Sequence, residues 1–419
     1  MSVVELPKAA PAAPPRPERP AASRWRWAWI VGAGTDLPWF ILGALAGYAL
    51  FFLHMLIESG YLRERGLPWN MFTVWLIWYV FIDVPHFFGT YARTYLDREE
   101  FRKRKRLLLG SLVFPLIGPA LILVSYGLWL GGVARYGLPF ELLFVFVSLW
   151  AYWHVVRQHY GILALYKRKN NDVAAVDQVV DKALLYVGLL APFVAMVVRH
   201  PTARAEIFLP AGGPQPGSWD FWLVQASIVA VALSAVAFAV RQLVRWKNGE
   251  PLNVPKILFL LAVVPLHVFV CYHPAVLTAP IYAFAAFVTV FHDLQYHAIV
   301  WHYQRNRIHR PGVDPRRFGL AALVSRNLVI FLGCAVLLGV GSWGLGCMVQ
   351  VEFGCMGWVP PVIASSAVPL FGDFTLQSVF FGIALGFIMH HYFVDQFIWR
   401  PSKDAELRKD LRLSAAEHS

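Results

Sequence analysis

The chain has 419 residues, of which 58% are hydrophobic and only 15% charged, against roughly 25% charged residues in an ordinary soluble domain. So few charges exclude a single soluble globule, because that much apolar surface falls in blocks of about 20 residues, the length that crosses a bilayer. The net charge of +12 lies in the connecting segments and needs no nucleic acid to explain it.

In chain order, residues 1–36 are rich in Pro, Ala and Arg and read as a disordered cytoplasmic tail, with Trp25 to Trp29 riding the interface. Ten apolar spans follow, at 37–57, 68–91, 107–130, 138–166, 180–199, 219–245, 254–271, 277–303, 319–347 and 376–399, and residues 401–419 form a second cytoplasmic tail. The expected fold is an all-α, polytopic transmembrane bundle with both termini cytoplasmic. Charge tests the count: 31 of the 37 Lys and Arg fall in segments on one side of the alternation. That is the positive-inside signature, and the inner or plasma membrane is the expected location. Cys347 and Cys355 flank the start of the largest outer loop, where pairing in an oxidising compartment and two free thiols both remain open.

The informative residues are polar ones inside spans, where ionisable groups are costly and mark functional sites. Span two ends with Asp83 and His86. Span four carries His154, Arg157, Gln158 and His159; span eight carries His292, Asp293, Gln295, His297 and His302; span ten carries His390, His391 and Asp395. All four spans run from outside to inside, and each bears its histidines in its last turns, so the clusters share one depth. At about 100° per residue, Asp83/His86, Asp293/His297 and His391/Asp395 each share a helix face. Such a pair supplies two metal ligands, or lets the carboxylate orient a ligating imidazole. His154/His159 and His292/His297 diverge by about 140° on a regular helix and flank a broader site. Arg157 is expected to neutralise one of the Asp residues or bind an anionic head group. His54, His200, His267, His273, His309 and His418 read as structural or solvated.

Imidazoles with carboxylates and no cysteine favour iron, as one or two ions, with zinc, copper and haem left open. At His154-x4-His159, His292-x4-His297 and His390-His391, with His86, the chain resembles the histidine-box membrane non-haem iron oxygenases and desaturases, although that class carries HxxHH boxes. The resemblance implies a di-iron centre that activates O2 to hydroxylate or desaturate a lipid-like substrate. Pro85-His86 on a span is also similar to the bacterial carotene-cleaving iron dioxygenases. A site near the cytoplasmic leaflet suits a membrane lipid or isoprenoid-like substrate and a cytosolic electron donor. Two rivals use the same residues: a bis-His haem electron carrier, and a proton-coupled transporter with a His/Asp relay.

Overall fold

The computed structural model describes residues 23–67, 69–348 and 368–413. Helices dominate, as expected of an all-α polytopic bundle. In chain order the long ones are α1 (Ala33–Glu58), α2 (Met71–Arg93), α3 (Lys105–Leu130), α4 (Leu138–Lys169), α5 (Ala175–Arg199), α6 (Trp219–Lys247), α7 (Val254–Tyr272), α8 (Ile281–Ile308), α9 (Leu328–Met348) and α10 (Leu376–Ile398). A short α11 (Ala405–Asp410) follows. Side-chain oxygens begin several of them: Asn70 caps α2 through the Thr73 N–H, Asn253 caps α7 through Lys256, and Thr375 forms a capping box with Ser378 at α10. The only sheets among the described residues are two tiny pairs, β1 (Trp25–Arg26) with β2 (Leu252–Asn253), and β3 (Pro369–Phe371) with β4 (Phe374–Thr375).

Nine helices among the described residues are long and apolar enough to cross a membrane, and the expected eighth span is not one of them. It folds as α8, whose 28 residues reach about 42 Å at 1.5 Å per residue, but its His, Asp and Gln side chains lower its hydropathy. Of those 28 residues 20 are buried, because α1, α2, α4 and α7 sheathe it. A polar helix is tolerable there since its neighbours, not lipid, surround it. By contrast only 11% of the apolar window of α6 is buried, so that helix faces outward. The expected ninth span also shortens: residues 315–324 form a 3-10 turn and a separate short helix around Gly319, whose φ of +69° suits glycine, and α9 starts at Leu328.

Contacts between connecting segments support the alternation with α8 counted as a crossing. On the basic side, β1 pairs with β2, the Arg26 guanidinium donates to the Asn171 carbonyl at 3.0 Å, and Arg245 meets Asp172 at 2.8 Å. Arg307 meets Asp97 at 3.1 Å and Asp410 at 3.5 Å, and Lys103 meets Asp404 at 3.0 Å. On the opposite side, Tyr136 bonds β3 and β4, and the His54 and His200 rings reach the carbonyls of Ala275 and Ala279. Residues 23–36 of the expected tail pack on the bundle. Asp36 accepts from the backbone N–H groups of Ile30, Val31 and Gly32 at 2.7–3.2 Å, which with the β1–β2 pair holds residues 23–36 against the bundle; residues 1–22 lie outside the described residues. Burial works against ionisation of Asp172, but the ammonium of Lys256 beside it, with Lys167 and Arg245, holds its carboxyl below the usual range. Cys271 and Cys334 are free and Cys347 is disulfide-bonded, while Cys355 lies outside the described residues.

Candidate metal centre

Four histidines from four helices close into a ring. The centroids of His86 (α2) and His292 (α8) are 5.3 Å apart, His292 and His154 (α4) 5.0 Å, His154 and His391 (α10) 5.1 Å, and His391 and His86 4.8 Å. Two carboxylates complete it. His86, His292 and Asp293 bring one ligand atom each within 4.8 Å of one another, and so do His154, His391 and Asp395. All six are buried. The two triads share a plan: one helix gives a carboxylate and an imidazole, α8 for one and α10 for the other, and a neighbouring helix adds the second imidazole.

Local structure aims these groups. Residues Tyr79–Asp83 of α2 are π-helical, which re-phases the face that follows and so turns His86 inward. Gly339 of α9 packs on the Val80 carbonyl oxygen so closely that a Cβ there would lie inside van der Waals contact, and Gly89 lets Tyr296 of α8 pack against α2.

Hydrogen bonds then constrain the His391 tautomer. Thr90 Oγ1 donates to Asp395 Oδ1 at 2.7 Å, so at 2.8 Å from His391 Nδ1 it accepts that ring's N–H. His391 Nε2 is left with a lone pair. At His86, Nδ1 lies 3.2 Å from Asp293 Oδ1 and 3.7 Å from Asp83 Oδ1 but makes no hydrogen bond to either, so its Nε2 is free to carry the ring proton. These two Nε2 atoms are 3.1 Å apart. With His86 protonated on Nε2 this is a hydrogen bond to His391 Nε2, and with both nitrogens bare it is the spacing of two ligands each about 2.0–2.2 Å from one ion, roughly 3–4 Å apart. Asp395 Oδ2 is 4.0 Å from both His154 Nε2 and His391 Nε2, beyond hydrogen-bond reach and within that ligand spacing. His154 Nε2, His292 Nδ1 and Asp293 Oδ1 are buried without a hydrogen-bond partner; leaving such groups unsatisfied costs about 1–3 kcal/mol each. Imidazole and carboxylate donors so grouped could hold a metal ion.

Other expected members lie elsewhere. His159 stays outside the ring, deeper between α7 and α8, with its ring 5.7 Å from His267 and 5.4 Å from Phe291; α4 is regular, so the 140° divergence from His154 holds. His297 lies against the Ile82 backbone and near Phe331, so Asp293 partners His86 across helices rather than His297 one turn on. His302 bonds Asn306 at 3.0 Å, and His390 bonds the Tyr95 hydroxyl at 2.8 Å. Gln158 donates to the His292 carbonyl at 2.7 Å and so braces α4 on α8. Arg157 corrects an expectation: it makes no ion pair with an Asp, but is exposed and donates to the Tyr186 hydroxyl, since its side chain, about one turn beyond His154, reaches toward α5. Of the six histidines read as structural, His54, His200, His267, His273 and His309 each bond a neighbouring backbone or hydroxyl group, and His418 lies outside the described residues. Sequence reasoning passed over Thr90, Tyr296 and Trp78. Tyr296 donates to Asp395 Oδ1 at 2.9 Å and Trp78 to Asp293 Oδ2 at 3.1 Å. Thr90 and Tyr296 were findable, each four residues after a ring histidine on the same face; Trp78 was not, because the π-helical turn intervenes.

Beside the ring lies a cavity of about 790 Å³ that His154, Tyr296 and Asp395 help to line. No family model, curated protein or solved structure matches this chain.

Proposed function

We propose that the chain is an integral membrane metalloenzyme that oxidises a lipid-like substrate with O2 at the His/Asp ring, with iron, as one or two ions, the metal. The observation that carries this is the pair of buried His/Asp triads whose ligand atoms lie within 4.8 Å of one another, with His154 Nε2, His292 Nδ1 and Asp293 Oδ1 left without hydrogen-bond partners. His154, His391 and Asp395 form a two-histidine, one-carboxylate set, the arrangement of non-haem iron(II) oxygenases that leaves coordination positions open. This same triad reaches the cavity, through His154 and Asp395, so a substrate held there would lie beside the residues that would hold the metal. Iron would supply O2 activation. The chain's own residues orient His391 and Asp395 through Thr90 and Tyr296, exclude bulk water by burial, and present the substrate.

The reaction balances as hydroxylation: a C–H bond breaks and a C–OH bond forms, one oxygen atom leaves as water, and two electrons and two protons enter. The reductant is a cytosolic one-electron carrier acting twice. Desaturation uses the same inputs, removes two hydrogens and releases two waters. A bis-His haem is disfavoured because imidazoles 4.8–5.3 Å apart around a closed ring leave no slot for a macrocycle between them.

The test compares lipid extracts from cells that carry the wild-type protein or His391→Ala, grown with and without oxygen. An oxygen-dependent shift of about +16 or −2 mass units in one lipid class, absent from the variant, supports the reading. Indistinguishable lipidomes with metal bound in the wild type overturn it in favour of electron transfer or transport.

A further inference from the structure

The charges lining the cavity are lopsided. Arg157, Lys167, Arg168, Arg400 and Lys403 face a single carboxylate, Asp395, which belongs to the ring. Lys167 is committed to Asp181 in a buried pair. The other four make no ion pair among the described residues: Arg157 bonds only the Tyr186 hydroxyl, and Arg400 only the Gln396 carbonyl while lying over the Phe397 ring. Arg241, Arg245, Lys256 and Arg307 on the same side each hold acids, whereas the four cations at the cavity hold none and share its wall with one carboxylate. The remaining wall is apolar, with Trp150, Trp153, Ile162, Leu165 and Ile299. Counted from Leu138, Arg157 lies about 28 Å along α4, at the far edge of a hydrocarbon layer about 30 Å thick. That is the level of lipid head groups.

We propose that this cavity binds an anionic amphiphile: an acyl or isoprenoid chain carrying a phosphate or carboxylate. Arg157, Arg168, Arg400 and Lys403 hold the head, and the aromatic and aliphatic wall guides the chain to His154 and Asp395. A cavity of about 790 Å³ lies within the roughly 300–1,000 Å³ of small-molecule sites. What happens to the chain rests on the function proposed above; its binding does not require the metal.

The probe is radiolabelled dodecyl phosphate, bound by equilibrium dialysis to the full chain in a neutral maltoside detergent. Saturable binding is expected, weakened about tenfold or more in Arg157→Gln/Arg400→Gln, weakened by salt, and unchanged in Arg102→Gln, whose charge lies outside the cavity. Displacement by laurate extends the site to carboxylates, and resistance to laurate with displacement by unlabelled dodecyl phosphate restricts it to phosphates; either supports the proposal. Equal displacement by dodecanol or by inorganic phosphate, or full binding in the double variant, overturns it. Metal content separates the two readings, because Arg157 and Arg400 touch no ring residue. Lost binding at wild-type metal content confirms the head-group clamp, whereas tight binding by a protein that never acquires metal contradicts the metalloenzyme and leaves the lipid site standing.

Discussion

Asp395 reaches the ring with one oxygen committed. Thr90 and Tyr296 both donate to Oδ1, which leaves Oδ2 facing His154 and His391. Thr90 also fixes the His391 tautomer, so one hydroxyl orients two prospective ligands. Thr90→Val keeps the side chain's shape and removes both bonds together with the 2.7 Å one between Thr90 and the Tyr296 hydroxyl. Orienting partners of this kind are worth 10–100-fold in metal affinity, so metal competition against a chelator is expected to show a loss of about that size, with the helical circular-dichroism spectrum unchanged. Wild-type affinity in Thr90→Val would contradict the assigned hydrogen-bond pattern. At this scale the sequence was partly legible. Spacing on one helix placed Asp395 beside His391, but it misassigned Asp293, whose partner His86 comes from another helix. It also misread Arg157: a guanidinium within a span looked like a counter-ion, and only the path of the side chain shows it exposed and bonded to Tyr186.

At the scale of elements, α8 inverts the usual order, being the helix with the weakest claim to span lipid and one of the most enclosed. Its enclosure depends on close approach. A Cβ at Gly89 would sit 2.7 Å from Tyr296 Cε1, so Gly89→Val forces α2 away from α8 or displaces Tyr296 from Asp395. Overpacking of this kind costs about 1–3 kcal/mol. A lowered thermal midpoint in detergent and reduced metal retention are expected together, and a variant that melts and binds as the wild type does would show that the α2–α8 contact is slack. The spans themselves were legible from apolar length, and their ends were less so. Gly319 and the turn at Pro315–Phe318 divide the ninth apolar run, a break that hydropathy alone does not register.

For the whole molecule, charge alternation and the tertiary contacts agree. Arg26, Arg245, Lys103 and Arg307 all bond segments from the same side of the alternation. The shared depth of the four histidine-bearing helices followed from that topology before any contact was known. What topology left open was which histidines meet, because rotation of each helix about its own axis is set by packing, such as the glycine contacts and the π-helical turn in α2. The most direct test of the metal centre is the metal-to-protein ratio of the chain purified in detergent, by elemental analysis, for wild type and single alanine variants. One or two iron ions per chain are expected in the wild type, with most of the metal lost from His86→Ala, His154→Ala, His292→Ala and His391→Ala and retained in His159→Ala, His297→Ala, His302→Ala and His390→Ala. Equal metal content across all eight variants, or none in the wild type, would contradict the account.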